Sequence, residues 1–524
     1  MQGNMKKTRK TRALNPKYQS PNQLKLDGFE TTFERMLNPK NRWVVLAHLI
    51  PWDEICVTYL KHVGISNTGR PPLSPRIVIG SLIIKHLCNL DDRETVEQIS
   101  ENIYMQYFLG YSSFTDEAPF DASLFVDFRK RFGLESINAI NEKIVELKTT
   151  LESSKKEKDF SGSSEFSDKE DNNQPHATEN KGRVIFDATA CPQNIAYPTD
   201  LKLLSDAREK AEELIDTLYK KMIHKQKPRT YRETARTLYL KTAQKKNKTH
   251  KEIRKAVGSQ LRCLKRNLSS INQLLDTYPI NPLKQKDREY LSTINTVFEQ
   301  QTQMYESNTH SVPDRIVSIH QPHVRPIVRG KTQAKVEFGA KIHVSIINGI
   351  SFVDELSWNA FNEGSHMMNY VELFRKRFGC YPKEILADKI YCTRANRSAL
   401  KLLGIKLLAK PLGRPSAVQE HVSPGERNPI EGKFGQAKTG YGLNCIKARL
   451  KETSETWIAC IFLVLNLVKL AGAALLCSFI KLFASFSVIH LGKMLNTFMK
   501  SYCKLILLKM VLSYPNQVGM TYGR

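Results

Sequence analysis

The sequence predicts an α/β protein: a mixed sheet with a long helical insertion after its first strand, preceded by an all-α, helix-turn-helix-like domain. Three observations carry this. Apolar residues recur at helical spacing from Leu73 to Leu147. A short apolar run, "RVIFDATACP", is cut off from the next strands by about a hundred residues of basic, helix-patterned sequence. Beyond Val336 the apolar period falls to two, and apolar runs then alternate with helical ones.

The helical part opens at Ser74 and Pro75, an N-cap and first-turn proline ahead of "RIVIGSLIIKHL". Asp91 with Glu94 forms a capping-box pattern before "DRETVEQISENI", where Val96, Ile99 and Ile103 share a face. Asp121 starts "ASLFVDFRKRFG", with Leu124, Phe125, Phe128 and Phe132 expected inward and Arg129, Lys130 and Arg131 outward as DNA-contact candidates. A charged run of this kind also suits a plain solvated face. Ile137, Ile140, Ile144 and Leu147 continue the pattern after Gly133.

The expected limits are a basic arm and lead-in over 1–72, the helical domain over 73–150 and a disordered polar linker over 151–182. A catalytic-type α/β domain then spans 183–470, with the insertion at 201–310 and an apolar tail without assigned role at 471–524. In the insertion, Leu204, Ala211, Leu214, Ile215 and Leu218 keep helical register. The lysine- and arginine-rich text that follows reads as an antiparallel arm, either a spacer or a grip on a duplex backbone. Val336, Phe338, Ala340, Ile342, Val344 and Ile346 alternate with polar neighbours, and Asn348-Gly349 signals a hairpin. "KEILADKIY", "RANRSALKLL" and "IKLLAK" then read as a parallel strand-helix-strand unit.

Composition narrows the chemistry. Lysine and arginine number 79 against 52 acidic residues, a net charge of +27, which favours a polyanion such as nucleic acid. The ten cysteines include no C-x-x-C pair, so neither a zinc ribbon nor a dithiol redox motif is indicated. His320 and His323 have a metal-like gap without further ligands at spacing, and read as loop or strand histidines. "MQGNMKKTRKTR" lacks the apolar core of a secretory signal, and no export is expected. The apolar run from Trp457, "WIACIFLVLNLVKLAGAALLCSFIKLF", has the length of a membrane span. Interrupted by Asn466, Lys469 and Lys481, it is read as a helix covering the sheet, and no membrane partner is expected.

Three carboxylates stand out. Asp187 and Asp388 are each expected at the carboxyl end of an apolar strand, where ligand sites of such sheets gather. Glu431 lies in "RNPIEGKFGQAK", where helical spacing aligns Arg427, Glu431 and Lys438 along one stripe. The same stretch has a plain reading, in which Asn428 caps a helix, Pro429 opens it and Glu431 completes a capping box. Three acids on separate elements could instead share two divalent ions roughly 3.5 to 4 Å apart and so drive an in-line phosphoryl displacement.

Together these blocks resemble a DDE transposase of the bacterial insertion-sequence type, over about Leu73 to Leu467. "FDAT", "LADKIY" and the glutamate helix resemble that family's three signature blocks, and "PFDASLFVDFRKRFG" its N-terminal domain. The glutamate block commonly reads Tyr, two residues, Arg, three residues, Glu, six residues, Lys; Arg427, Glu431 and Lys438 match, while Pro424 stands in place of the tyrosine. The resemblance implies an RNase H-like core and an enzyme using two Mg²⁺ (or Mn²⁺) ions held by Asp187, Asp388 and Glu431. It also implies Arg427 and Lys438 on the DNA backbone, with Thr189, Tyr391 and Trp358 as lesser candidates around the site. Its substrates would be terminal inverted repeats and target DNA, bound by a homodimer in the cytoplasm at the nucleoid, with no small-molecule cofactor. Two alternatives remain open at this level: an RNase H-like nuclease without strand transfer, and a non-catalytic DNA-binding regulator.

Overall fold

The computed structural model describes residues 37–62, 73–143, 180–328, 336–409 and 424–486. The chain divides into two compact units, Met1–Asn466 and Leu467–Arg524; of the second, the described residues are helical to Phe486. The linker expected over 151–182 lies outside the described residues up to 179, as do Ile144 and Leu147.

In the first unit the N-terminal helices build their core on aromatic rings. Arg42–Leu49 and Trp52–His62, which lie in the stretch read as a lead-in, pack Trp43 and Trp52 against Phe108, with ring centroids 5.3 and 5.2 Å apart. Pro75–Cys88 starts on its proline as expected. Asp92–Glu101 carries the capping box of Asp91 and Glu94, but Asn102 then caps a separate helix, Ile103–Leu109, so Ile103 leaves the face of Val96 and Ile99. An asparagine whose side chain accepts from two following backbone N–H groups resets the helix there.

The sheet has the order β2-β3-β1-β5-β6, with β4 pairing β3. Its strands are β1 Arg183–Pro192, β2 Arg325–Val328, β3 Val336–Ile347, β4 Ile350–Ser357, β5 Glu384–Leu386 and β6 Lys406–Leu408. β1, β3 and β4 are antiparallel; β1, β5 and β6 are parallel, as the strand-helix-strand reading requires. Asn348 and Gly349 turn the β3–β4 hairpin at φ values of 51° and 78°, which glycine and asparagine tolerate best. Gly339 is obligatory for another reason: a Cβ there would stand 2.1 Å from the Cys191 carbonyl oxygen of β1. β2 goes unseen in the sequence because it is four residues long and contains Pro326, a residue that argues against a strand.

The insertion supplies four helices, Asp200–Leu218, Arg232–Ala243, His250–Leu275 and Gln285–Ser307. They gather around their own apolar cluster, in which Leu204, Ala211, Leu214, Ile215 and Leu218 are buried as their register predicts.

Behind the sheet runs the part of the helix Lys451–Phe486 that belongs to the first unit, up to Asn466. Trp457, Ile458, Ile461, Phe462 and Leu465 pack with Ala340, Ile342 and Val344 of β3. Asn466, an anomaly in that apolar run, is fully buried and satisfied: its side chain bonds the backbone N–H and carbonyl of Ser351 and the side chain of Asn141. By length and composition, Lys451–Gly472 is one described helix that could cross a membrane.

Candidate active site

The backbone pairing of β1 and β5 sets the site. Ile185 is level with Leu386 in parallel register, and Asp187 and Asp388 each lie two residues further on. Side chains two apart on a strand share a face, so both carboxylates leave the same side of the sheet at the same height. β5 ends at Leu386, and Asp388 caps the following 3₁₀ turn, its Oδ1 accepting from the Lys389 backbone N–H at 2.7 Å. Asp187 departs from expectation. It stands in mid-strand, since β1 runs on to Pro192 in antiparallel pairing with β3 after its parallel partner has left. The carboxyl end that matters is therefore that of β5.

The glutamate helix, Asn428–Gly440, is seated beside these aspartates by apolar contact. Ile430 packs with Ile185 and Leu386, the residues two before each aspartate, together with the partly buried Phe434 and Leu408. A 3₁₀ turn, Pro424–Arg427, leads straight into it and is tied to the start of β1 by an ion pair of Glu426 with Arg183. Because that turn is already helical at Arg427 (φ −92°, ψ −11°), Asn428 does not cap and no capping box forms at Glu431. Glu431 is exposed, and its side chain makes no hydrogen bond or ion pair among the described residues.

Arg427 joins the two aspartates. Its Nη2 lies 3.2 Å from Asp187 Oδ2 and its Nη1 3.2 Å from Asp388 Oδ1, with Asp388 the more exposed of the pair, at 56% against 21%. Burial raises the Asp187 carboxyl above its ordinary pKa; the Ala188 N–H and Arg427 pull it down, while the charges of Asp388 and Glu363 push it up.

Glu363 was not singled out in the sequence, lying as it does in a loop without motif. Its carboxylate pairs with Lys341 of β3 at 2.6 Å, and the Asn396 side chain ties the neighbouring Gly364 carbonyl to that of Tyr391, at 2.7 and 3.0 Å. Only the joining of these loops by the fold reveals it.

Other candidates lie differently. Arg129 is buried, not outward: it is four residues from Phe125 on the same helical face, and both guanidinium nitrogens bond Asp92, at 2.9 and 2.8 Å. It is therefore withdrawn from the DNA-contact candidates, while Lys130 and Arg131 are exposed. Lys438 is partly exposed on the glutamate helix. Thr189 and Tyr391 are buried, and Trp358 donates from Nε1 to Glu455 at 2.8 Å. His323 stands edge-on to Trp358, ring centroids 4.3 Å apart, as a packed histidine.

Among the described residues, no group of three or more His, Cys, Asp or Glu side chains is close enough to hold a metal ion. The structure thus brings Asp187 and Asp388 together and leaves Glu431 outside that pair. Two carboxylates already sharing one cation have the hard-oxygen chemistry that Mg²⁺ or Mn²⁺ prefers.

Two family models match the chain, one described as "Transposase domain (DUF772)" over residues 31–131 and one as "Transposase DDE domain" over residues 385–468. The second covers Asp388, Arg427, Glu431 and Lys438, and stops short of Asp187. The chain is a DDE transposase. The transposase is also 33% identical over 186 residues to "Uncharacterized protein ORF8 in nfe locus" of Rhizobium meliloti, an overlap of 35% of this chain and 77% of the relative. No solved structure matches it. As a DDE transposase it cleaves and transfers DNA, which is the polyanion its charge calls for, and its family generally uses divalent metal ions.

Proposed function

We propose that this transposase cuts and joins DNA at a site made by Asp187, Asp388 and Glu431, with an RNase H-like core over 183–470 that carries the insertion 201–310. The observation that supports the reading is the parallel register of Ile185 with Leu386, which sets Asp187 and Asp388 level and lets one cation span them. These two carboxylates would hold two Mg²⁺ (or Mn²⁺) ions, and Glu431, one turn along the helix from Arg427, would complete the set. Bound ions supply the charge that activates an attacking hydroxyl and stabilises the leaving oxygen.

The protein's own groups do the positioning. Ile430 anchors the glutamate helix, at whose start Arg427 and Glu431 stand one turn apart. Arg427 would leave the aspartates as ions enter and take up a backbone phosphate, a geometry suited to its planar fork. Lys438, two turns along, would hold a second phosphate. The helices of 73–150, behind the lead-in 1–72, would bind terminal inverted repeats, with Lys130 and Arg131 on the DNA. The active form is proposed as a homodimer in the cytoplasm at the nucleoid.

Incubating the purified protein with Mg²⁺ and DNA bearing the ends of its element tests this reading. Joined products are expected. Cut but unjoined ends would favour a nuclease, and end binding without any cutting would favour a regulator.

A further inference from the structure

Positive charge is concentrated in one part of the insertion. Residues 219–255 hold fourteen lysines and arginines against two glutamates, a net of +12 out of +27 for the whole chain. Four of the fourteen are engaged: Lys227 and Arg232 with Asp216, Lys245 with Glu252, and Arg254 with Asn308 and the Tyr305 ring. The other ten are exposed and make no ion pair among the described residues. Such a concentration repels itself and costs stability unless a polyanion offsets it.

The layout favours a linear partner. The helix Arg232–Ala243 buries only Ala235 fully and is about 18 Å long at ~1.5 Å per residue. Arg236 and Lys241 are both exposed, on the two flanks of the helix at about 100° and 120° from Ala235. Beyond its two ends the chain adds Lys221 and Lys225 on one side, and Lys246, Lys248 and Lys251 on the other. His224 pins the first of these loops through Thr277 at 2.8 Å, and the capping box of Thr249 with Glu252 fixes the second.

The aromatic residues decide between double and single strands. Single-stranded nucleic acid is held by stacking its bases on free rings. Here Tyr231, 52% exposed, already carries the Arg266 guanidinium on one face at 4.6 Å, Tyr219 lies near His224, and Tyr239 packs against the insertion core. What is offered is fourteen cations and one half-exposed ring, a surface made for phosphates rather than for a run of stacked bases.

We propose that residues 219–255 form a second DNA surface that grips the phosphate backbone of duplex DNA without reading its sequence, separately from the catalytic carboxylates. The inference rests on the transposase reading for its partner, and on charge and exposure for its place. A backbone grip of this kind suits DNA flanking the element or the target, whose sequence is not fixed.

The test uses the full-length protein without divalent ion, a random-sequence duplex, and the variant K241Q/K246Q/K248Q/K251Q. These four side chains are exposed and unpaired, so circular dichroism and the melting temperature are expected to match wild type. Duplex affinity at low salt is expected to fall roughly tenfold or more, and the slope of log K against log salt to flatten by up to about 3.6, at ~0.9 per lost phosphate contact. Unchanged affinity and slope would overturn the proposal, as would tighter wild-type binding of the same sequence offered as a single strand. Because no cutting is scored, this outcome is independent of whether the wild type joins DNA ends.

Discussion

Arg427 holds Asp187 and Asp388 in one grip, its two terminal nitrogens each 3.2 Å from a carboxylate oxygen. A guanidinium so placed neutralises the charge that a divalent ion would otherwise neutralise. At the proposed site, Arg427 and a metal ion would therefore compete for the same oxygens in the absence of DNA. Arg427→Ala is expected to bind Mn²⁺ several-fold more tightly than wild type without DNA, yet to join DNA ends at least tenfold more slowly. Calorimetric titration and an end-joining assay read the two effects. Weaker metal binding in the variant would mean that Arg427 organises the carboxylates rather than occupying them.

Arg129 bears on the N-terminal helices. Its fork is buried on Asp92, and its guanidinium lies 5.5 Å from the Trp457 ring centroid. Lys85 remains as a second partner for Asp92, so the loss on Arg129→Ala is expected at about 2–3 kcal/mol, below the 3–5 typical of a fully isolated buried pair. Lys130→Ala, at an exposed position, should change stability by no more than about 0.5 kcal/mol. Urea unfolding separates them, and DNA binding is expected to suffer directly only in the second. Equal stabilities would refute the buried role of Arg129.

One buried and one half-buried histidine set an acid limit. Burial first, and then the charges of Lys85 and Arg129, hold His86 well below its ordinary pKa; burial, with Lys451 and Arg325, takes His323 to about 4. Both are neutral in the fold and would protonate near 6.5 when unfolded, so the unfolded state binds more protons as pH falls below 6.5. Their contribution is full above that pH and is lost progressively towards pH 4. The melting temperature should fall over this window, and His323→Gln should make the fall shallower. An identical pH profile for the variant would contradict the assignment.

Several of these features could be read before the fold was known. The capping box at Asp91, the hairpin at Asn348-Gly349 and the parallel unit around Asp388 depend on neighbours within a few residues, and local sequence signals them. Arg129 carries a surface residue's charge, yet its four-residue spacing from Phe125 puts it on the buried face. The apolar run ending at Asp187 suggests a strand end, but β1 continues by changing from one pairing partner to another, which only the register reveals. The cap at Asn428 failed because the helix is entered through a 3₁₀ turn. Glu363 and the tie through Asn396 required two distant loops to meet, and no local pattern announces that.

Glu431 remains the decisive side chain. It is exposed, uncapped and without a bond, so Glu431→Gln should fold as the wild type does, within about 0.5 kcal/mol. The most direct measurement is Mn²⁺ binding by electron paramagnetic resonance to the full-length protein on DNA carrying its element's ends. Two tightly bound ions are predicted for wild type, with that binding lost or severely weakened in Asp187→Asn, Asp388→Asn and Glu431→Gln alike. Undiminished binding of both ions by the three variants would contradict a site built on these carboxylates.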